Sequence, residues 1–190
     1  MKILKTILVL LAILIAIPLI AAIFLPKTYV AERSVTIEKP TAEVFDYVKM
    51  LKNQNNFSKW ANVDTAMKKT FKGDDGKVGF VSAWDSQNEE VGAGEQEIKK
   101  MEEGKRIDYE LRFLRPFEST ETAYIATDSL GKNKTKVTWA FNGHMNYPKN
   151  IMLPFLKLDS KIGDDLSAGL GNLKGILEGK KDAKKKKGKK

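Results

Sequence analysis

One histidine, His144, and no cysteine stand in a chain of 190 residues. Together they exclude a disulfide, a Cys–His nucleophile pair and a histidine-rich zinc site. In "KVTWAFNGH", Lys136 to His144, the residue types alternate, so Val137, Trp139 and Phe141 share one face of a strand. His144 falls on the other face and reads as a surface histidine. There is no Gly-x-Ser-x-Gly elbow and no phosphate-cradling glycine loop. "VGAGEQ" holds a lone Gly-x-Gly that reads as the start of a strand. Asp85, Glu89 and Glu90 in "WDSQNEE" read as a solvated loop rather than a metal or acid–base site. Acid–base chemistry on a bound molecule needs a carboxylate or phenol reaching into a pocket; Tyr109 and Glu118 are the candidates. The residues assign no catalytic group, no metal ligand and no cofactor, and they favour binding over catalysis.

What the sequence does offer is bulk on one side of its strands. "RIDYELRFL" alternates strictly, placing Ile107, Tyr109, Leu111 and Phe113 opposite Asp108, Glu110 and Arg112. With Val137, Trp139 and Phe141 these form a large apolar surface, to which Trp84 adds a ring from "FVSAW". Tyr109 and Trp139 carry polar tips that need partners when buried. Such a set is either packed core or the wall of an apolar pocket with a few polar groups. The expected pocket residues are Trp84, Ile107, Tyr109, Leu111, Phe113, Val137, Trp139 and Phe141, with Leu166, Gly169 and Leu170 from a facing helix.

The elements that must position them follow from period. "AERSVTIEKP" alternates and ends at Pro40, a strand; "TAEVFDYVKML" repeats at helical spacing, with Thr41 as its cap. "NNFSKWANV" reads as a second short helix. Six strand-like runs follow, split by turns such as "GDDGK", "EEGK" and "GKNK". Short turns make consecutive strands antiparallel. A last helix spans Leu158 to about Glu178; Leu158, Ile162, Leu166, Leu170, Leu173 and Leu177 fall in an arc of about 120°. Gly163, Gly171 and Gly175 lie off that stripe and Gly169 within it, so either the helix presses close there or it leaves room.

The two ends of the chain differ from its middle. Ile7 to Leu25 is apolar throughout, long enough as a helix (about 28 Å) to cross a bilayer's hydrocarbon. A cleaved signal is the alternative, but the stretch is long for one and lacks a small-x-small site. The net charge is +9. Lys2, Lys5 and Lys27 give +3 to residues 1–30, and eight lysines against Asp182 give +7 to residues 180–190, which leaves −1 for residues 31–179. A near-neutral domain lacks the positive face that nucleic acid needs. The lysine tail reads as a disordered end or as an arm against anionic lipid. Basic residues flank the apolar stretch on both sides, with a slight lean to an inside N-terminus. The expected organisation is an anchor over 1–30, one domain over 31–179 and a disordered tail over 180–190.

Five local patterns in order resemble one superfamily: "SVTIEKPTAEVFDYV", "FSKWANVD", "VGFVSAWDS…VGAGEQEI", "TKVTWAFNGHMNYP" and "GDDLSAGLGNLKGILE". The chain is similar to the START and birch-pollen-allergen (SRPBCC) superfamily, in its polyketide cyclase/dehydrase-like bacterial branch. The resemblance implies an α+β helix-grip fold: a curved antiparallel sheet wrapped around a long C-terminal helix, here preceded by one transmembrane helix. It also implies a cavity between sheet and helix for a hydrophobic ligand, and no particular reaction. The partners to expect are a lipid or other hydrophobic small molecule, and a membrane met through residues 7–25 and the lysine tail; the place is a bacterial inner membrane, with the domain outside the cytoplasm. Three functions fit: a membrane-tethered module binding that ligand, a cyclase- or dehydratase-type enzyme using the same cavity, and a protein-interaction module.

Overall fold

The alternating runs become one sheet. The computed structural model describes residues 2–179. Seven strands, β1 (Thr28–Ile37), β2 (Lys68–Lys72), β3 (Val81–Asp85), β4 (Ala93–Glu102), β5 (Arg106–Arg115), β6 (Ser119–Gly131) and β7 (Lys134–His144), pair antiparallel throughout in the order β1-β7-β6-β5-β4-β3-β2. The helices are α1 (Lys2–Phe24), α2 (Thr41–Val48), α3 (Gln54–Phe57), α4 (Leu153–Leu156) and α5 (Leu158–Leu177). This is the α+β helix-grip fold. The expected lysine tail lies outside the described residues.

α5 lies along β1 and β7 with Leu166, Leu170 and Leu173 buried. Burying a leucine contributes roughly 1.5–3 kcal/mol, so these three side chains are a main hold of the helix on the sheet. Gly169 sits among them, and its lack of a side chain brings the surfaces together. A Cβ there would lie 2.8 Å from Cζ3 of Trp139 and 3.4 Å from the Phe57 carbonyl oxygen. The helix therefore presses close rather than leaving room. Gly163, expected off the stripe, is also buried, because the Arg33 guanidinium of β1 lies where its side chain would be.

Three local expectations change. Thr41 is the first helical residue rather than the cap of α2: its hydroxyl pairs with the buried Thr135 of β7 (3.1 Å), which bonds the Lys39 carbonyl (2.8 Å). The second helix is one turn, α3, broken by extended Ser58, and Trp60 follows on a separate 3-10 turn. β1 begins at Thr28, inside the stretch assigned to the anchor, so Tyr29 belongs to the sheet.

The packing at Gly169 gives a paired prediction. Gly169→Ala gains helix propensity worth about 1 kcal/mol but overpacks a rigid indole, a cost of about 1–3 kcal/mol. The net expectation is a loss of about 1 kcal/mol in urea unfolding. Gly171→Ala meets nothing within 4 Å and is expected to stabilise. Equal gains in both variants would contradict the close contact.

Candidate functional site

Cross-strand register sorts the inner face of the sheet into rows. Ile107, Ile125, Trp139 and Arg33 lie opposite one another in turn, and so do Ile98, Tyr109, Ala123, Phe141 and Ala31. Nearer the other end come Ser82, Gln96, Leu111 and Glu121, then Trp84, Gly94, Phe113 and Ser119. Ile98, Ile107 and Ile125 are buried with Phe45, Val48 and Leu173 in a closed core. The later rows open into a cavity of about 370 Å³. That falls within the range of small-molecule sites and far exceeds the space a few waters need. α5 contributes Ile162 and Leu166 to its wall, and the segment carrying Leu51, Gln54, Ser58, Trp60 and Met67 roofs it.

All three tryptophans of the chain line this space. Trp84, Phe113, Phe141 and Tyr29 form a chain of tilted or edge-on rings with centroids 5.8, 6.4 and 6.2 Å apart. Phe57 and Trp60 stand edge-on to Trp139 at 5.5 and 6.3 Å. Such edge-to-face pairs stabilise beyond their area alone. Two glycines make room for the rings: a Cβ on Gly94 would lie 2.6 Å from Cζ2 of Trp84, and one on Gly143 would run into Tyr29. The Trp84 indole donates to the Val91 carbonyl, 3.3 Å away. Lys59 is paired with Asp165 of α5, which ties the roof to the helix.

Of the expected pocket residues, Trp84, Leu111, Phe113, Trp139, Phe141 and Leu166 line the cavity. Ile107, Tyr109, Val137, Gly169 and Leu170 do not; they are buried deeper, in the closed core around the cavity's inner end. Alternation tells which face a residue occupies, but not how far along the strand the core gives way to space. Glu118 is exposed in the β5–β6 turn and stays outside the lining. His144 is exposed, with its Nε2 2.8 Å from Asn146 Oδ1. Asp85, Glu89 and Glu90 are exposed, and Glu90 stands at the cavity's edge. Among the described residues no cluster of acids and histidine could hold a metal ion.

Two residues the sequence reading passed over matter more. Glu121 is only 7% exposed and lines the cavity. Its Oε2 accepts the His144 backbone N–H at 2.8 Å. Burial nevertheless pushes its carboxyl above the usual range. Tyr29 lines the same end, its phenol pushed up to about 12 by burial and by the Glu121 charge. Alternation back from Ile125 and Ala123 would have put Glu121 on the inner face. Toward the inner end, Gln54 Nε2 and Tyr109 Oη are both buried without a well-formed hydrogen bond, although the Gln54 side chain stands close enough to act on the phenol. Burial pushes the Tyr109 phenol far up, so it stays neutral.

No family model and no curated protein matches the sequence. Solved structures do match in fold. Norcoclaurine synthase from Thalictrum flavum, in complex with dopamine and hydroxybenzaldehyde, aligns with a TM-score of 0.59 at 11% identity, over 82% of this chain and 89% of that one. The Aha1 dimer from Colwellia psychrerythraea aligns at 0.55 and 11% identity, over 81% and 99%. Ara h 8.0201 aligns at 0.54 and 12%, over 80% and 99%. The structural neighbours are thus START and birch-pollen-allergen-like, and the shared property at these identities is the fold.

Two measurements check the site. The raised Glu121 carboxyl favours the protonated form in the folded state, so its contribution to stability is present at low pH and lost as pH rises through the raised value. Stability of the wild type is expected to fall relative to Glu121→Gln as pH rises above the ordinary glutamate range; parallel pH profiles would refute the shift. Tyr109→Phe removes an unsatisfied buried hydroxyl and is expected to leave stability unchanged or raise it by about 1 kcal/mol. A large loss would reveal a partner for that hydroxyl.

Proposed function

We propose that this chain is a membrane-tethered binding module for a lipid or other hydrophobic small molecule. The observation that carries the reading is the 370 Å³ aromatic-lined space between sheet, roof and α5. Its wall is mostly apolar, with a few convergent polar groups, Gln54, Gln96, Glu121 and Tyr29, that would orient a ligand. The tether is α1, 23 residues of almost wholly apolar and exposed helix. Its length suffices to span a bilayer, and among the described residues the domain covers little of it beyond Ala22. Its flanking lysines favour a domain outside the cytoplasm.

A second reading rests on Glu121. A buried carboxyl held above its usual range inside a cavity is a general acid or base in waiting, and the Tyr29 phenol lies at the same end. If the cavity performs a cyclase- or dehydratase-type reaction, Glu121 is the group to carry the proton. Tyr109 and Glu118 do not reach the space.

Because the tryptophans Trp60, Trp84 and Trp139 all line the cavity, intrinsic fluorescence reports its occupancy directly. Titrating the full chain in detergent micelles with a brominated long-chain alcohol is expected to quench it saturably. Ala123→Phe, which fills the wall beside Phe141, is expected to abolish the saturable part. Linear quenching that is identical in both proteins would mean that the alcohol never enters.

A further inference from the structure

The mouth of the cavity and the end of α1 share one end of the domain. The lining is buried at Leu51, Ala123, Trp139 and Leu166 and exposed at Glu90 and Ser119, which places the opening where β3 and β5 end and β4 and β6 begin. β1 starts at that same end: Thr28 pairs with His144, and Tyr29 of the lining comes four residues after the last residue of the apolar stretch, Leu25. The joint is built rather than loose. Asn150, wholly buried, donates from Nδ2 to the carbonyls of Ala22 (2.6 Å) and Leu25 (3.1 Å), groups that a helix end leaves without partners. The Met145 N–H bonds the Lys27 carbonyl at 2.7 Å.

Around this joint, segments far apart in sequence expose large apolar side chains. Leu114 sits at the end of β5 and Phe117 (78% exposed) in the turn after it, with Phe155 (81%) and Met152 on the short helices after β7. Phe24 (82%) is at the foot of α1. Exposed Lys27, Lys149 and Lys157 flank them in sequence. A soluble surface rarely gathers aromatics of this exposure at one end, whereas a surface lying in a membrane interface does, with basic residues beside its apolar ones. Asn150 joins the segment that carries Met152 and Phe155 directly to the end of α1, so the surface that would cover this end is the one α1 enters.

We propose that the mouth-bearing end of the domain lies flat on the bilayer that holds α1, with Phe117 and Phe155 in the interface, and that the cavity exchanges its ligand with that bilayer rather than through water. The proposal rests on the reading of α1 as a membrane span and of the cavity as an apolar ligand site. Asn150 sets the geometry by fixing the end of α1 to the segment that carries Phe155.

The absence of cysteine makes the test direct. Single nitroxide labels are placed through Phe117→Cys, Phe155→Cys, Ile13→Cys and Leu130→Cys on the full chain in vesicles of phosphatidylcholine and phosphatidylglycerol. Leu130, at the opposite end of the sheet beside the β6–β7 turn, is the control for water. Power-saturation spectroscopy reads each label's access to oxygen, enriched in lipid, against a water-soluble nickel chelate. Labels at 117 and 155 are expected to favour oxygen as the label at 13 does, and the label at 130 to favour nickel. If 117 and 155 match 130 while 13 lies in lipid, the docking is overturned and the tether stands. If 13 also lies in water, both fall. Fluorescence quenching of the unlabelled chain in the same vesicles reports the ligand site independently of either result.

Discussion

The contact between the Trp139 indole and Gly169 decides where space exists in this fold. A glycine in the leucine stripe of α5 lets the helix settle on β1 and β7, with the indole against its backbone. Settled there, the helix covers one side of the curved sheet. Beyond the part that α2 closes, the inner faces of β3 to β6 are left to a thinner roof, a single turn of helix and an irregular segment around Trp60. Interiors pack densely when two regular surfaces interdigitate; an irregular roof over a concave sheet does so less well. The hollow follows from that division of labour.

Within the hollow, polarity is placed at the two ends. Gln54 lines the inner end and Tyr109 lies in the closed core beyond it, both without a well-formed hydrogen bond, a costly state for buried polar atoms. The outer end has Tyr29 and Glu121, the latter tied to the backbone of His144 yet still held toward its neutral form by burial. Between them the wall is aromatic and aliphatic. A molecule with a long apolar body matches that distribution, whether it is carried or transformed. Glu121 is the group through which the two uses would differ, because binding needs only its hydrogen bonds and acid–base chemistry needs its proton.

The fold was legible in the sequence because it rests on period. β5 alternates without a break, α5 repeats its leucines, and both are realised with nearly the expected bounds. The site was legible only by face. Tyr109 and Phe113 stand on the same side of the same strand, but one is sealed in the core cluster while the other lines open space. That difference depends on where α2 and the roof come down, a tertiary matter with no local signature. Tyr29 was hidden for another reason. It follows the apolar stretch so closely that it reads as part of it, although its pairing opposite Gly143 makes it a sheet residue. Glu121 was overlooked because an acid in a strand suggests solvent, even where alternation points inward.

Xenon tests the hollow most directly, since it enters apolar cavities and leaves packed cores and wet clefts alone. A crystal of this chain pressurised with the gas is predicted to show an anomalous peak among Leu111, Phe113, Trp139 and Leu166. Side chains that close over that point, or a chain of ordered waters in its place, would contradict the account.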